Sequence, residues 1–305
     1  MNREEFSEAC MKGRIIKGIG GFYYVQTEQG VVQTRGRGLF RKTGITPMVG
    51  DEVDIIISKE DSDGDGMIRE ILPRRNAFAR PPVANVDTVV IVFAAKKPKP
   101  VFEIIDKFLI TADSNDAQPI LCMNKCDLLS PEKQEEIARR YQGLYPFFCV
   151  SAKSGEGIDA LKKELIGRHT AFAGPSGVGK SSLINILVPE ADMETNSVSQ
   201  KTRRGRHTTR HVEIFQYPPG GLIYDTPGFT SFDLSGVEPE ELDRYYPEML
   251  PFIGHCRFDN CRHLKEPGCA VRDAVEGGEI SEERYQSYVH GFQELKEKAQ
   301  DWKKK

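Results

Sequence analysis

The chain lacks any run of 18 apolar residues, so no transmembrane helix is expected. Its opening residues, MNREEFSEACMKGR, lack the apolar stretch of a secretory leader, and no signal peptide is expected. It also lacks an excess of either charge: 42 basic and 45 acidic side chains leave a formal net charge of −3. Bulk charge therefore says nothing of a polyanionic partner, and any nucleic-acid surface has to be local. No internal repeat is visible, and the lysines at 303–305 form the one low-complexity stretch. A disulfide framework is missing too. Of seven cysteines, Cys10, Cys122, Cys126 and Cys149 are scattered, whereas Cys256, Cys261 and Cys269 cluster with His263. That usage fits a reducing compartment and one metal site, so a cytoplasmic protein is expected.

What is present suits a multidomain globular chain: 305 residues, 39% hydrophobic and 29% charged. Residues 1–72 carry short β-branched and aromatic runs at 21–27, 31–34 and 51–58, punctuated by glycines. A small N-terminal β-barrel, an OB-fold, is expected there. Its cations Lys12, Arg14, Lys17, Arg35, Arg37, Arg41 and Lys42 are interleaved with Tyr23, Tyr24 and Phe40. Such a stripe offers phosphate contacts and stacking platforms for RNA, although a solvated charged face would read the same way. The Asp61-x-Asp63-x-Asp65-Gly66 stretch resembles the start of an EF-hand loop, but the twelfth position is Leu72 and the flanks are strand-like, so a polar turn is expected.

Residues 73–232 alternate apolar runs (88–95, 119–123, 147–151, 170–173, 212–217, 222–225) with amphipathic segments such as 101–113. This predicts an α/β domain with a largely parallel sheet. Residues 233–305 lose the strand signal, and helices are expected at 238–250 and 281–302, making a mainly α C-terminal domain.

Gly174-Pro175-Ser176-Gly177-Val178-Gly179-Lys180-Ser181 matches a P-loop, follows a predicted strand and opens a helix that continues with Ser182. Backbone N–H groups of such a loop cradle phosphates, the lysine reaches the β- and γ-phosphates, and the serine hydroxyl can ligate magnesium. Asn124-Lys125-Cys126-Asp127 selects the base, because a carboxylate can accept hydrogen bonds from guanine N1–H and its exocyclic amine. Adenine presents no such donor pair. Ser151-Ala152-Lys153 fits a clasp on guanine O6. Asp225-Thr226-Pro227-Gly228 supplies a magnesium-side aspartate and a γ-phosphate sensor, and Thr209 is the expected switch threonine on magnesium. Phe229 stands where a glutamine would orient water, so His207 is expected to position the attacking water. The motif order is rotated, with the guanine motifs ahead of the P-loop. The same sheet forms if the old termini are joined and a new break is made.

Cys256-x4-Cys261-x-His263-x5-Cys269 provides three thiolates and one imidazole, the donor set of a closed structural zinc site; His255 is an alternative ligand. Taken together, the motifs resemble the RsgA family (YjeQ/YloQ type), the circularly permuted GTPases of small ribosomal subunit assembly. The resemblance covers nearly the whole chain. It implies GTP hydrolysis stimulated by the 30S subunit, contact with 16S rRNA, a catalytic histidine matching His207, zinc on the four clustered ligands, and a monomer; the domains at 1–72, 73–232 and 233–305 follow from the changes of pattern along the chain. Neither DNA nor a membrane is an expected partner. Where some related GTPases place a potassium-binding P-loop asparagine, this chain has Gly177. Two other classes fit parts of the pattern: an RNA-binding module with a barely hydrolytic GTP site, and a P-loop kinase.

Overall fold

The computed structural model describes residues 9–36, 40, 44–57, 66–191, 212–226, 229, 234 and 236–302. Its strands are β1 (Ala9–Ile19), β2 (Phe22–Thr27), β3 (Gly30–Gly36), β4 (Glu52–Ile57), β5 (Gly66–Ile71), β6 (Ala77–Ala79), β7 (Pro82–Ala84), β8 (Thr88–Ala94), β9 (Gln118–Asn124), β10 (Phe147–Cys149), β11 (His169–Ala173), β12 (Glu213–Tyr217) and β13 (Gly221–Asp225). The α-helices are α1 (Phe102–Asp113), α2 (Pro131–Arg139), α3 (Ile158–Glu164), α4 (Lys180–Leu187), α5 (Ala270–Glu276) and α6 (Glu282–Trp302). Two compact units result. The first comprises Met1–Thr88, Lys162–Phe172 and Ser181–Phe229; the second comprises Val89–Leu161, Ala173–Lys180 and Thr230–Lys305.

In the first unit, strands run in the order β1-β2-β3-β5-β4, and a β1–β4 pairing closes them into a five-stranded barrel. Its interior is filled by Ile15, Val25, Val53, Ile55 and Ile68, all fully buried. Strand β1 escapes sequence reading because Lys12, Gly13, Arg14 and Lys17 interrupt any apolar alternation. Gly13 is required there by close packing: a Cβ would lie 2.5 Å from the Gln26 carbonyl oxygen. Beyond a bulge between Ile15 and Lys17, β1 stays paired with β2, while its pairing with β4 has ended at Arg14 and it pairs antiparallel with β12 at Lys17↔Glu213. The sheet continues through β13 to β11, with β12–β13 antiparallel and β11–β13 parallel.

The second unit holds the order β10-β9-β8, with β10 and β9 parallel. Every residue of β8 (TVVIVFA) is buried, as an unbroken apolar run requires of a strand covered on both faces. Helix α1 buries Ile105, Phe108, Leu109 and Ala112 on the predicted face. Its Ile110 joins the C-terminal apolar core of Leu242, Tyr246, Met249, Val271, Tyr288, Phe292 and Leu295. The expected helix at 238–250 is instead a 3-10 segment, Pro239–Tyr245, followed by turns. Pro247 restricts the preceding residue, and Tyr246 is accordingly held away from the helical region, at φ −116° and ψ 93°. Among the described residues, no helix is long and apolar enough to cross a membrane.

A buried ionic network fastens α6 to α1. Arg284, 1% exposed, donates to Asp106 Oδ1 at 2.6 Å and to Glu248 Oε1 at 2.6 Å. Tyr141 donates to the same Asp106 oxygen at 2.8 Å, and the Arg284 guanidinium lies 4.7 Å from the Tyr246 ring centre. Burial alone would lower the Arg284 pKa, but Asp106 and Glu248 hold it well above the usual value. Removing one partner of such a pair strands a buried charge at a cost of about 3–5 kcal/mol. Arg284→Ala should therefore destabilise the protein by that amount in urea unfolding; a change within about 0.5 kcal/mol, usual for a surface site, would contradict this account.

Candidate nucleotide and metal sites

The end of β9 organises the nucleotide motifs of the second unit. Asn124 is buried at 1% exposure, and its Nδ2 donates to the Val178 carbonyl of the Gly-rich loop at 2.8 Å. Its Oδ1 accepts from Lys125 N at 2.8 Å and from Ala152 N at 3.0 Å. One amide thus joins three sequence motifs, a task an aspartate could not perform because it has no donor. Lys125 takes the left-handed conformation at φ 63°, which costs a non-glycine residue roughly 1–2 kcal/mol. Its ammonium donates to the Gly177 carbonyl at 2.7 Å and the Lys97 carbonyl at 2.6 Å. The Asp127 carboxylate accepts from Ser151 Oγ at 2.7 Å. Cys126 is fully buried; burial first, and Glu156 second, push its thiol up to about 11, which makes it a packing residue and not a nucleophile. Lys153 is exposed at the end of this clasp.

The Gly-rich loop follows β11. Gly174 sits at φ 137°, where a Cβ would fall 2.0 Å from the Val92 carbonyl oxygen. Gly179 at φ 100° would place one 2.3 Å from Asn124 Nδ2. The loop must be glycine at both points because β8 and Asn124 approach it so closely. Lys180 opens α4 and donates to the Gly174 and Pro175 carbonyls at 2.6 and 2.9 Å, so its ammonium curls over the loop. Ser176 and Gly177 are exposed, Pro175 is half-buried and Val178 is buried.

In the first unit, Ser181 and Ser182 are half-buried on α4, and half-buried Asp225 ends β13. Thr226 donates to the Phe172 carbonyl at 3.2 Å. Phe229 is fully buried, edge-on to Phe78 with ring centres 5.6 Å apart, and serves packing. His207, Thr209 and Gly228 lie outside the described residues.

The cysteine–histidine cluster assembles as the spacing predicts. Donor atoms of Cys256, Cys261, His263 and Cys269 all lie within 4.8 Å of one another. Cys256 Sγ and Cys269 Sγ are 3.9 Å apart, and His263 Nδ1 is 3.5 and 3.3 Å from them. Tetrahedral coordination with metal–sulfur bonds of about 2.3 Å places sulfurs roughly 3.8 Å apart, so the donor set fits a metal ion. His255 is exposed and stands outside the cluster.

Sequence reading missed the supports of this site. Asp243 Oδ2 meets His263 Nε2 at 3.2 Å and orients the ring so that Nδ1 faces the thiols. Burial alone would raise the Glu266 carboxyl, but backbone N–H groups of Arg262, Leu264 and Lys265 hold it down at about 2. Tyr285 and Tyr288 of α6 donate to the His263 and Arg262 carbonyls at 2.6 and 2.8 Å. Asp243 stands 20 residues before the histidine, and only folding brings it there, whereas Glu266 lies within the ligand loop, between His263 and Cys269.

The barrel cations separate into groups. Lys12 and Arg35 are exposed, and Arg35 stacks over the Phe22 ring at 4.5 Å. Arg14 donates to Glu52 at 2.6 Å and to the His169 ring at 3.0 Å, and Lys17 donates to Glu213 at 2.8 Å. These two hold the barrel strand to the sheet. Lys12, Arg14, Glu28 and Glu52 border an open groove of about 400 Å³, which carries both signs of charge. Arg37, Arg41 and Lys42 lie outside the described residues.

A Gly-rich loop opening a helix, tied by a buried asparagine to NKxD and SAK loops, defines a P-loop GTPase. The guanine motifs precede the P-loop in the chain, which makes it a circularly permuted one. The family model described as RsgA GTPase matches residues 71–235, and that described as RsgA N-terminal domain matches residues 12–68. The small ribosomal subunit biogenesis GTPase RsgA of Caldanaerobacter subterraneus subsp. tengcongensis is 46% identical over 94% of this chain and 97% of its own. The protein of the same name from Halalkalibacterium halodurans is 44% identical over 93% and 97%. Among solved structures, YjeQ from Thermotoga maritima matches with TM-score 0.80 and 38% identity over 94% of this chain and 99% of that one. YloQ, a circularly permuted GTPase, matches with TM-score 0.78 and 38% identity over 97% and 99%. The chain belongs to the RsgA GTPase family.

Proposed function

We propose that this GTPase acts in biogenesis of the small ribosomal subunit: it binds the 30S particle and its 16S rRNA, and 30S binding stimulates its hydrolysis of GTP. The Asn124 bridge carries the guanine-nucleotide part of the reading, since it joins the base-selecting loops to the phosphate loop through one side chain. The names of the full-length relatives support the ribosomal part.

The residues take these roles. Asp127 accepts hydrogen bonds from guanine N1–H and its amine, Asn124 and Lys125 border the base, and the backbone of Ser151, Ala152 and Lys153 meets guanine O6. The Gly174–Ser181 backbone donates to the phosphates, Lys180 turns its ammonium from the loop carbonyls to the β- and γ-phosphates, and Ser182 continues the helix N-terminus beneath them. Ser181, Thr209 and Asp225 would hold magnesium, which when bound neutralises phosphate charge. Gly228 senses the γ-phosphate, and His207 orients the attacking water. Cys256, Cys261, His263 and Cys269 would hold one structural zinc ion, which stabilises the loop and leaves no open position for catalysis. Lys12 and Arg35 with Arg37, Arg41 and Lys42 form the RNA-facing set on the barrel. The functional segments are 1–72, 73–232 and 233–305, and the protein works as a cytoplasmic monomer.

The test is GTP turnover by the protein alone and with 30S subunits, 50S subunits or 70S ribosomes. Stimulation by 30S alone is expected. His207→Ala should lower stimulated turnover by about 10²–10⁴-fold, the usual worth of a positioned proton-handling group, with GTP affinity nearly unchanged. Equal slow rates in all four mixtures would replace the switch reading with a GTP-gated binding module. Full turnover in His207→Ala would remove the histidine from catalysis.

A further inference from the structure

The link between β8 and α1, residues 95–101, runs Ala-Lys-Lys-Pro-Lys-Pro-Val. Lys96, Lys97, Pro98 and Lys99 are all exposed. Among the described residues, no carboxylate lies within ion-pair distance of any of the three lysines. The nearest acid in sequence, Glu103, turns its carboxylate to His290 on α6, 3.0 Å away. Pro98 and Pro100 remove two backbone donors and stiffen the segment, so what the loop presents is ammonium groups. On a chain with a net charge of −3, three uncompensated cations within four residues form a local positive projection.

The loop is also wired to the nucleotide site. Its Lys97 carbonyl shares the Lys125 ammonium with the Gly177 carbonyl of the P-loop, at 2.6 and 2.7 Å. The loop is thus one hydrogen bond from Lys125 of the NKxD motif and two from the tip of the phosphate loop.

We propose that residues 96–99 are a second RNA contact, on the GTPase core and separate from the barrel, gripping ribosomal RNA phosphates beside the guanine pocket. This rests on the ribosomal reading above. Point charges on flexible stems suit phosphate oxygens, and such contacts set affinity and orientation without reading sequence. Lysines in a solvated loop have little to hold them in an apolar protein interface, where that residue type is depleted.

The test is 30S binding at several salt concentrations, by wild type and by a Lys96→Gln/Lys99→Gln variant. Lys97 is kept so that the backbone whose carbonyl accepts from Lys125 is left undisturbed. Each lost phosphate contact makes the slope of log K against log salt shallower by about 0.7–0.9, so the variant should lose about 1.5 from the slope. Its affinity for 30S should fall by about 10-fold, with GDP affinity and melting temperature unchanged. An unchanged slope and affinity in the variant, with wild type binding in a salt-dependent manner, would overturn the loop contact and leave the ribosomal reading standing. Lost affinity with an unchanged slope would assign the loop to a protein neighbour and overturn the proposal. A fall in GDP affinity without subunits would make the loop part of the nucleotide pocket and overturn it equally. Wild type that fails to bind 30S would instead remove the ribosomal reading itself.

Discussion

A Cys269→Ser chain should purify without its metal and with residues 250–280 open to protease. The loop from Cys256 to Cys269 has little regular structure of its own, and its cross-loop backbone bond is Arg257 N to the Gly268 carbonyl at 2.9 Å. A tetrahedral site of this donor class binds its ion with an apparent 10–16 kcal/mol, about the whole stability of a domain. Loss of one ligand forfeits most of that. The damage should spread, because Cys261 and Cys269 belong to the apolar core that includes Tyr285, Tyr288 and Phe292 of α6. Elemental analysis, limited proteolysis and thermal melting check this together, with exposed Cys10→Ser as the silent control. Wild type with no bound metal and no sensitivity to a strong chelator would refute the structural-metal account; one equivalent of bound zinc would settle the ion.

The second large effect concerns the base. Asp127→Asn should weaken GTP binding by about 10²–10⁴-fold, since two hydrogen bonds to a charged acceptor are worth roughly 1.5–3 kcal/mol each. The same change should improve binding of xanthosine triphosphate, whose carbonyl stands where guanine has its amine and can accept from the new amide. The fold should survive, because asparagine keeps an oxygen to accept from Ser151 Oγ, the present partner at 2.7 Å. Titration with fluorescent guanine and xanthine nucleotides measures both arms. Undiminished guanine preference in the variant would move base selection away from Asp127.

These effects start from residues whose meaning is local. A P-loop, an NKxD tetrapeptide and four soft ligands within 14 residues are legible because neighbours in sequence do the chemistry. The β8 and α1 patterns were legible for the same reason: burial on both faces leaves an unbroken apolar run, and a half-buried helix leaves a stripe. Strand β1 was not, since its barrel-facing residues include glycine and two of its cations, Arg14 and Lys17, are committed to distant partners. The predicted helix at 238–250 failed because prolines at 247 and 251 outweighed the amphipathic spacing.

The sequence by itself determined the chemistry: a guanine nucleotide, its phosphates and a thiolate-rich donor set that fits a metal ion, each specified by side chains a few positions apart. Tertiary structure alone decided what supports them. Asn124 reaches Val178 54 residues away, Asp243 stands 20 residues before the histidine it orients, and Lys17 meets Glu213 across 196 residues. Arg284 finds Asp106 across 178. Such pairs have no spacing to read, because the hydrogen bond or ion pair is fixed by packing in three dimensions and constrains only the chemistry at each end.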